Sequence, residues 1–129
     1  MIIAGIGREA AMPFIDAYCK RWGLPLYEHG AQHADWFGAF HCQGLRGVLG
    51  LISIPEMDGI FVHGLYAEDS KYGKLAVSRM IKLLDRIPKT LHGAIFLPNL
   101  DMLKIAVKHG WEIENVVIGD RQIHIRRAA

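Results

Sequence analysis

The stretch from Gly59 to Ile87 constrains the fold of this chain more than any other. Gly59 to Ala67 is typical of a buried strand, and Ser70 to Ile87 is an amphipathic helix that Pro88 ends. A strand that leads directly into a helix N-terminus commonly binds phosphate, because the first backbone N–H groups and the helix dipole attract anions. We therefore expect a phosphate-binding junction between residues 65 and 77.

The rest of the chain supplies further elements around this junction. Strand, helix and strand in succession predict a parallel, right-handed crossover, and the apolar run of the second strand suggests burial on both of its faces. Together the elements predict an α/β fold with a mixed sheet of six to seven strands: an antiparallel meander, one parallel crossover and a C-terminal hairpin. The predicted strands are Ile2–Ile6, Asp35–Gln43, Leu45–Pro55, Gly59–Ala67, His92–Leu97, Trp111–Ile118 and Gln122–Arg126, and the helices are Arg8–Trp22, Ser70–Ile87 and the one opened by Pro98 and Asn99.

The length and composition suit one globular domain over residues 1–129. A formal charge of +2 is too small to indicate nucleic acid as a partner, and no apolar run reaches the roughly 18 residues that cross a membrane. The N-terminus lacks the features of a signal peptide. Cys19 and Cys42 form no CxxC pair, so we expect both to be reduced, in a cytoplasmic protein.

Other polar residues have weaker patterns. His29 and His33 lie four apart, but without a third ligand or a carboxylate at matching spacing they are expected to be loop histidines, not metal ligands. Three arginines near the C-terminus suit a solvated terminus better than a phosphate-binding patch. On the first helix the expected apolar face consists of Ala10, Ala11, Phe14, Ala17, Tyr18 and Trp22.

The order of these elements resembles the GNAT superfamily of N-acetyltransferases. The resemblance in sequence is strongest from Asn99 to Trp111. GNAT proteins carry Asn, then a basic residue nine positions later, and Gly-Phe at the helix exit; Asn99, Lys108 and Gly110-Trp111 match these positions. Two positions depart from the pattern, since Met102 replaces a small residue and Ala106 replaces a tyrosine.

The junction resembles the family's phosphate motif less closely. Leu65-Tyr66-Ala67 is similar to the triplet that ends the strand, and Arg/Gln-x-x-Gly-x-Gly/Ala fits in two registers, Tyr72 to Val77 or Ser70 to Leu75. The first register puts Leu75 and Val77 where glycines are usual, while the second keeps Gly73 but still ends on Leu75. The resemblance implies these cofactor-binding residues: Leu65, Tyr66, Ala67, Tyr72, Gly73, Lys74, Leu75, Ala76 and Asn99.

The resemblance further implies transfer of an acetyl group from acetyl-CoA to an amine of a small molecule or protein. His63 is the first candidate for the general base, because histidine titrates near neutral pH and strict alternation would place His63 on one face with Leu65 and Ala67. Glu68 and Asp69 are alternatives, although helix capping explains an acidic residue there equally well. With Ala106 in place of the usual tyrosine, the proton donor is another group such as Tyr66 or Tyr72, or solvent, or is missing.

A second interpretation is a GNAT-like domain that no longer catalyses and serves binding or assembly. The replaced tyrosine and glycines favour it, and the short chain is similar to compact GNAT-like proteins of bacteriophages. A homodimer could form through the last strand, Gln122 to Arg126, although an edge strand rich in arginine is equally a protected edge. The acceptor amine has no recognisable signature in the sequence.

Overall fold

Seven strands form one mixed sheet in the computed structural model, which describes residues 1–24, 33–57, 59–97 and 99–129. The strands follow the spatial order β1-β2-β3-β4-β5-β7-β6, and the pairing is antiparallel except between β4 and β5. The strands are β1 (Ile2–Ile6), β2 (Asp35–His41), β3 (Gly44–Ile54), β4 (Gly59–Ala67), β5 (Thr90–Phe96), β6 (Glu112–Val117) and β7 (Gln122–Arg127). The helices are α1 (Arg8–Trp22), α2 (Lys71–Asp85) and α3 (Leu100–Lys108), with a short 3-10 helix at Pro55–Met57.

This architecture confirms the predicted mixed sheet, with its meander, parallel crossover and C-terminal hairpin. The turn between β2 and β3 lies one residue earlier than expected, at Cys42-Gln43, where both residues adopt left-handed backbone angles (φ 50° and 60°). Such a turn matches the twist of a tight hairpin. The predictions made for His29 and Pro98 concern positions outside the described residues.

The helices cover the sheet unequally. α2 and α3 pack on one face, where Leu49, Met80 and Leu84 are among the buried residues. α1 packs on the other face over β2, β3 and β4. Its buried stripe is Ala11, Ile15 and Cys19, whereas the predicted Trp22 is 42% exposed. The expected apolar face was therefore wrong in part, because the stripe that meets Trp36 and Val48 is the i, i+4, i+8 row.

One face of β5 is covered by α2 and α3, and the other face is left partly open. Leu91, Gly93 and Ile95 are buried toward α2 and α3, but His92 is half-buried and Ala94 is exposed. The expectation of burial on both faces was therefore wrong, since α1 lies over β2 to β4. A groove consequently runs along this face of β4, β5 and β7.

β4 and β5 pair only over Gly59 to Phe61 and Thr90 to His92. Beyond these pairs a cavity lined by both strands lies between them. This separation is the feature of the fold that positions the site described below.

The last strand is not an edge. β7 lies between β5 and β6, so the prediction that it pairs across a dimer was wrong. Its Arg127 instead donates from Nη1 to the Leu84 carbonyl oxygen (2.6 Å) and from Nη2 to that of Ile87 (2.5 Å). Leu84 lies in the last turn of α2 and Ile87 just beyond the helix end, where a cation complements the helix dipole.

Candidate functional site

The cavity between β4 and β5 has a volume of about 110 Å³ and mainly apolar walls. Leu65 and Tyr66 line it from β4, and Ile95 and Phe96 from β5. It continues into the layer between the sheet and the helices, where Ala106 lines it from α3.

The backbone of β4 offers hydrogen-bonding groups to this cavity. Glu68 N–H donates to the Arg46 carbonyl oxygen on β3 (3.0 Å). Because backbone groups alternate in direction along an antiparallel strand, those of Leu65 and Ala67 face away from β3, toward the gap. The Ala67 carbonyl oxygen accepts a hydrogen bond from Arg21 Nη2 at 2.7 Å. Leu65 and Ala67, both predicted from the sequence, thus lie where a ligand in the gap would meet backbone donors and acceptors.

Trp111 lines the same cavity and carries a buried side-chain donor. The residue is 5% exposed, and its Nε1–H is buried with no hydrogen-bond partner in the described part of the chain. A buried donor without an acceptor is unfavourable by roughly 1–3 kcal/mol, which a bound acceptor atom would relieve. The sequence alone marked Trp111 only as the aromatic residue that closes a helix.

The N-terminus of α2 lies directly after β4. Ser70 is the N-cap: its Oγ accepts from Gly73 N–H (3.1 Å), and its carbonyl oxygen accepts from Lys74 N–H (3.1 Å). The N–H groups of Lys71 and Tyr72 precede the first helical hydrogen bond and are the natural donors to an anion. This start of the helix favours the register from Ser70 to Leu75 over the alternative one.

Gly73 is required for the packing of the loop before α2, and not only to let a phosphate group come close to the backbone. A Cβ atom at this position would lie 1.8 Å from the carbonyl oxygen of Glu68, so only glycine lets the loop fold back against the first turn. Leu75 is partly exposed, in the second turn of the helix, and Ala76 is fully buried against Gly47. The side chain of Ala76 therefore belongs to the core and does not reach the helix start.

Cations surround the helix start. The Arg46 guanidinium lies 4.8 Å from the centroid of the Tyr72 ring, and the Lys71 ammonium lies 5.1 Å from it. Lys74 is exposed in the first turn. The sequence reasoning missed Arg46, although it is the single charged residue of β3, and a charge in a largely apolar strand commonly has a specific partner.

The partner of Arg46 is Glu68. Arg46 Nη1 lies 3.2 Å from both carboxylate oxygens, and Ser70 Oγ donates to Oε2. Partial burial raises the pKa of the Glu68 carboxyl, but the bond from Ser70 and the Arg46 guanidinium outweigh this and hold the pKa below its usual range. A carboxylate held in this way stabilises the loop and the helix start, so the structure favours the capping role of Glu68 over that of a general base.

His63 lies at a β-bulge. Gly64 pairs with Gly50 while Val62 pairs with Leu51, so His63 has no counterpart on β3. The extra residue resets the alternation of side chains. His63 therefore contacts Trp36 on the α1 face (ring centroids 5.2 Å apart), whereas Leu65 packs toward α2. The expectation that His63 and Leu65 share a face was wrong.

Tyr66 points toward α1. Its ring lies over Gly64 and meets the Tyr18 ring edge-on, with centroids 5.2 Å apart. Burial, followed by the nearby Cys19 and Tyr18, raises the pKa of the Tyr66 hydroxyl well above its ordinary value. The hydroxyl therefore stays protonated, and it gives up its proton less readily than an exposed tyrosine.

Asn99 is the N-cap of α3. Its Oδ1 accepts from Met102 N–H (3.3 Å), and its Nδ2 donates to Tyr18 Oη (3.2 Å). These bonds connect α3 to α1 beside the cavity that Asn99 also lines. The predicted cap is thus confirmed, and the side chain has both of its polar atoms engaged.

A second space, of about 520 Å³, lies on the face of the sheet that carries α1, along β4, β5 and β7. We call it the histidine groove. His63 and Tyr66 line both this groove and the cavity, and so connect the two. Its lining side chains include Phe61, His63, His92, Phe96, Glu114 and His124.

Within 1–24, 33–57, 59–97 and 99–129, no group of three or more His, Cys, Asp or Glu side chains is arranged to hold a metal ion. None of the helices described is both long and apolar enough to cross a membrane.

Comparisons with solved structures identify the fold. The spermidine N-acetyltransferase SpeG from Vibrio cholerae, as a point mutant, matches with a TM-score of 0.74 at 13% identity, over 99% of this chain and 95% of that one. The IAA acetyltransferase from Bacillus cereus matches with a TM-score of 0.72 at 12% identity, over 99% of both chains. An acetyltransferase of the GNAT family from Staphylococcus aureus matches with a TM-score of 0.71 at 13% identity, over 98% of this chain and 97% of that one.

These matches show that the chain has the GNAT fold, and that N-acetyltransferases are among its structural neighbours. No protein-family model and no curated protein sequence matches the chain. None of the three structures is named as a bacteriophage protein, so the resemblance to phage proteins receives no support from them.

Proposed function

We propose that this protein is a divergent member of the GNAT superfamily, an N-acetyltransferase that takes acetyl-CoA as donor and an amine as acceptor. One observation carries the proposal: the backbone groups of Leu65 and Ala67 face away from β3, toward the gap beside β4, and Leu65 lines the cavity there, directly before the N-terminus of α2. A single extended ligand with amide groups at one end and phosphates at the other suits this arrangement.

The residues present fit such a donor. The pyrophosphate would lie on the N–H groups of Lys71 and Tyr72, with the side chains of Lys71, Lys74 and Arg46 as counter-charges. The amide groups of the pantetheine arm would pair with the backbone of Leu65 and Ala67. The donor supplies an activated thioester; the protein supplies orientation and exclusion of water.

The histidine groove is the proposed acceptor site. The amine must lose a proton before its nitrogen attacks, and His63, where groove and cavity meet, is the proposed base. Tyr66 also lines both spaces, and its protonated hydroxyl is placed to donate a hydrogen bond. We assign it a positioning role, because its raised pKa makes proton transfer to the leaving thiolate less favourable.

Titration calorimetry with CoA and acetyl-CoA tests the proposal. Both should bind the wild-type protein, and Lys71→Glu should weaken both about tenfold or more by placing a negative charge at the pyrophosphate. Lys104→Glu, an exposed position in α3, is the matched control and should leave both affinities unchanged. If neither ligand binds wild type at millimolar concentration, the proposed function is wrong.

A second candidate function is a CoA-binding domain without catalysis. Ala106 favours it, since the side chain at this position has no group that could transfer a proton. The two functions differ in turnover: binding of acetyl-CoA without acetylation of any amine in a broad panel would support the second.

Oligomerisation and location complete the proposal. We propose a homodimer formed through the edge strand β6, which exposes Ile113 and Val116, and sedimentation analysis of Val116→Glu against wild type would test it. We place the protein in the cytoplasm, in keeping with the unpaired thiols of Cys19 and Cys42.

A further inference from the structure

The cavity between β4 and β5 extends beyond the space where the two strands separate. Val62 and Gly93, which directly follow the last paired residues, belong to its lining. Ile81 and Leu84 of α2 and Ala106 of α3 line its inner part. The cavity therefore reaches from the strand gap into the apolar layer under the helices.

The cavity as a whole is mainly apolar. Its volume of about 110 Å³ is somewhat smaller than the roughly 150 Å³ of an apolar cavity that binds benzene. A short aliphatic chain of about three carbon atoms therefore fits. Ala106 bounds this space with a single methyl group, and it is only 2% exposed.

Trp111 is the second feature that indicates a ligand here. Its Nε1–H is the buried donor without a partner described above, and the residue lines the same cavity. Apolar walls with one unsatisfied donor match an aliphatic chain that carries an oxygen atom.

We infer that the donor site accepts acyl groups longer than acetyl, with about four carbon atoms, and that the chain enters the cavity beside Ala106 while an acyl oxygen accepts from Trp111 Nε1. This inference rests on the proposed function and extends its donor from acetyl-CoA to short-chain acyl-CoA. In the transfer the carbonyl carbon–sulfur bond breaks and a carbonyl carbon–nitrogen bond forms. The amine gives up one proton, and the products are the N-acyl amine and free CoA thiol.

The test compares the affinities of CoA, acetyl-CoA and butyryl-CoA for the wild-type protein by calorimetry. Each buried methylene strengthens binding, and two of them together give about tenfold, so butyryl-CoA should bind about tenfold more tightly than acetyl-CoA. Ala106→Leu fills the cavity and should remove this preference while leaving the affinity for CoA unchanged. Val107→Leu, at an exposed neighbouring position in the same helix, should keep the preference.

The outcomes separate the inference from the function on which it rests. If CoA and acetyl-CoA bind but butyryl-CoA binds equally or more weakly, the inference is overturned and the proposed function stands. If no CoA compound binds, both are overturned. Trp111→Phe gives an independent readout: it should weaken acetyl-CoA and butyryl-CoA several-fold and leave CoA unaffected, and an equal loss for all three would contradict the role given to Nε1.

Discussion

The carbonyl oxygen of Glu68 lies so close to Gly73 that a Cβ atom on Gly73 would be 1.8 Å from it. The contact joins the end of β4 to the first turn of α2 and thereby sets the position of the helix N-terminus. Gly73, which lies in the region proposed to bind phosphate, is thus needed for the packing of the backbone independently of any ligand.

Replacing Gly73 should therefore destabilise the protein whether or not a ligand binds. The Cβ atom of Gly73→Ala would collide with the Glu68 carbonyl oxygen, so the loop after β4 must move away from the first turn of α2. We expect a loss of about 2 kcal/mol or more in the free energy of unfolding. Urea denaturation measures it. Gly119→Ala is the control, because nothing lies within 4 Å of a Cβ there, and it should stay within about 0.5 kcal/mol of wild type. Equal stabilities for the two variants would show that the loop does not pack against the helix.

The ion pair of Glu68 with Arg46 predicts a pH dependence of stability. The pKa of Glu68 is lowered in the folded protein, so the folded state binds its proton less readily than the unfolded state. The contribution of the Glu68 carboxylate to the free energy of unfolding is complete above the pKa of an unfolded glutamate, about 4.3. This contribution is lost as the pH falls through the lower pKa of the folded state. Glu68→Gln should therefore lose about 1 kcal/mol at pH 7, and its difference from wild type should shrink below pH 4.

Denaturant titrations at several pH values between 3 and 7 would measure this convergence. Glu112→Gln, at an exposed position at the start of β6, serves as the reference for a carboxylate outside the loop. A difference between wild type and Glu68→Gln that stays constant across this range would contradict the assigned role.

Arg127 should matter more for stability than its neighbour Arg126. Arg127→Ala removes three hydrogen bonds, to the carbonyl oxygens of Leu84, Ile87 and Lys89, and we expect a loss of about 1–3 kcal/mol. Arg126→Ala removes an exposed contact of 3.6 Å with Glu114, which is worth about 0.5 kcal/mol or less. Thermal and urea unfolding would compare them, and the reverse ranking would contradict the capping of α2 by Arg127.

His63 should affect turnover more than donor binding. Once an acceptor amine is identified, His63→Gln should lower kcat/KM about a hundredfold or more, as expected for loss of a general base, with the affinity for acetyl-CoA unchanged. His109→Gln is the control, since His109 pairs with Asp85 at 2.9 Å, away from the groove lining. Unaltered turnover in the His63 variant would remove it as the base.

The sequence by itself determined the order of the elements and, to within about two residues, their bounds. Hydrophobic period, proline and glycine punctuation, and N-caps such as Ser70 and Asn99 are local signals, and local interactions decide them. Leu65 and Ala67 were predicted as site residues from the resemblance to GNAT proteins, and their binding role stays a prediction. The turn at Cys42-Gln43 lies one residue earlier than predicted, β5 begins two residues earlier, at Thr90, and α2 ends two residues earlier, at Asp85.

The tertiary structure decided what each side chain faces. The bulge at His63 depends on the pairing of β4 with β3, and the buried row of α1 depends on how that helix crosses the sheet. The cavity at Ala106 likewise arises where segments remote in the sequence meet, since β4, β5, α2 and α3 all line it. Periodicity gives the face of an isolated element, but register and helix packing are long-range, and they decide which face and which atoms reach the site.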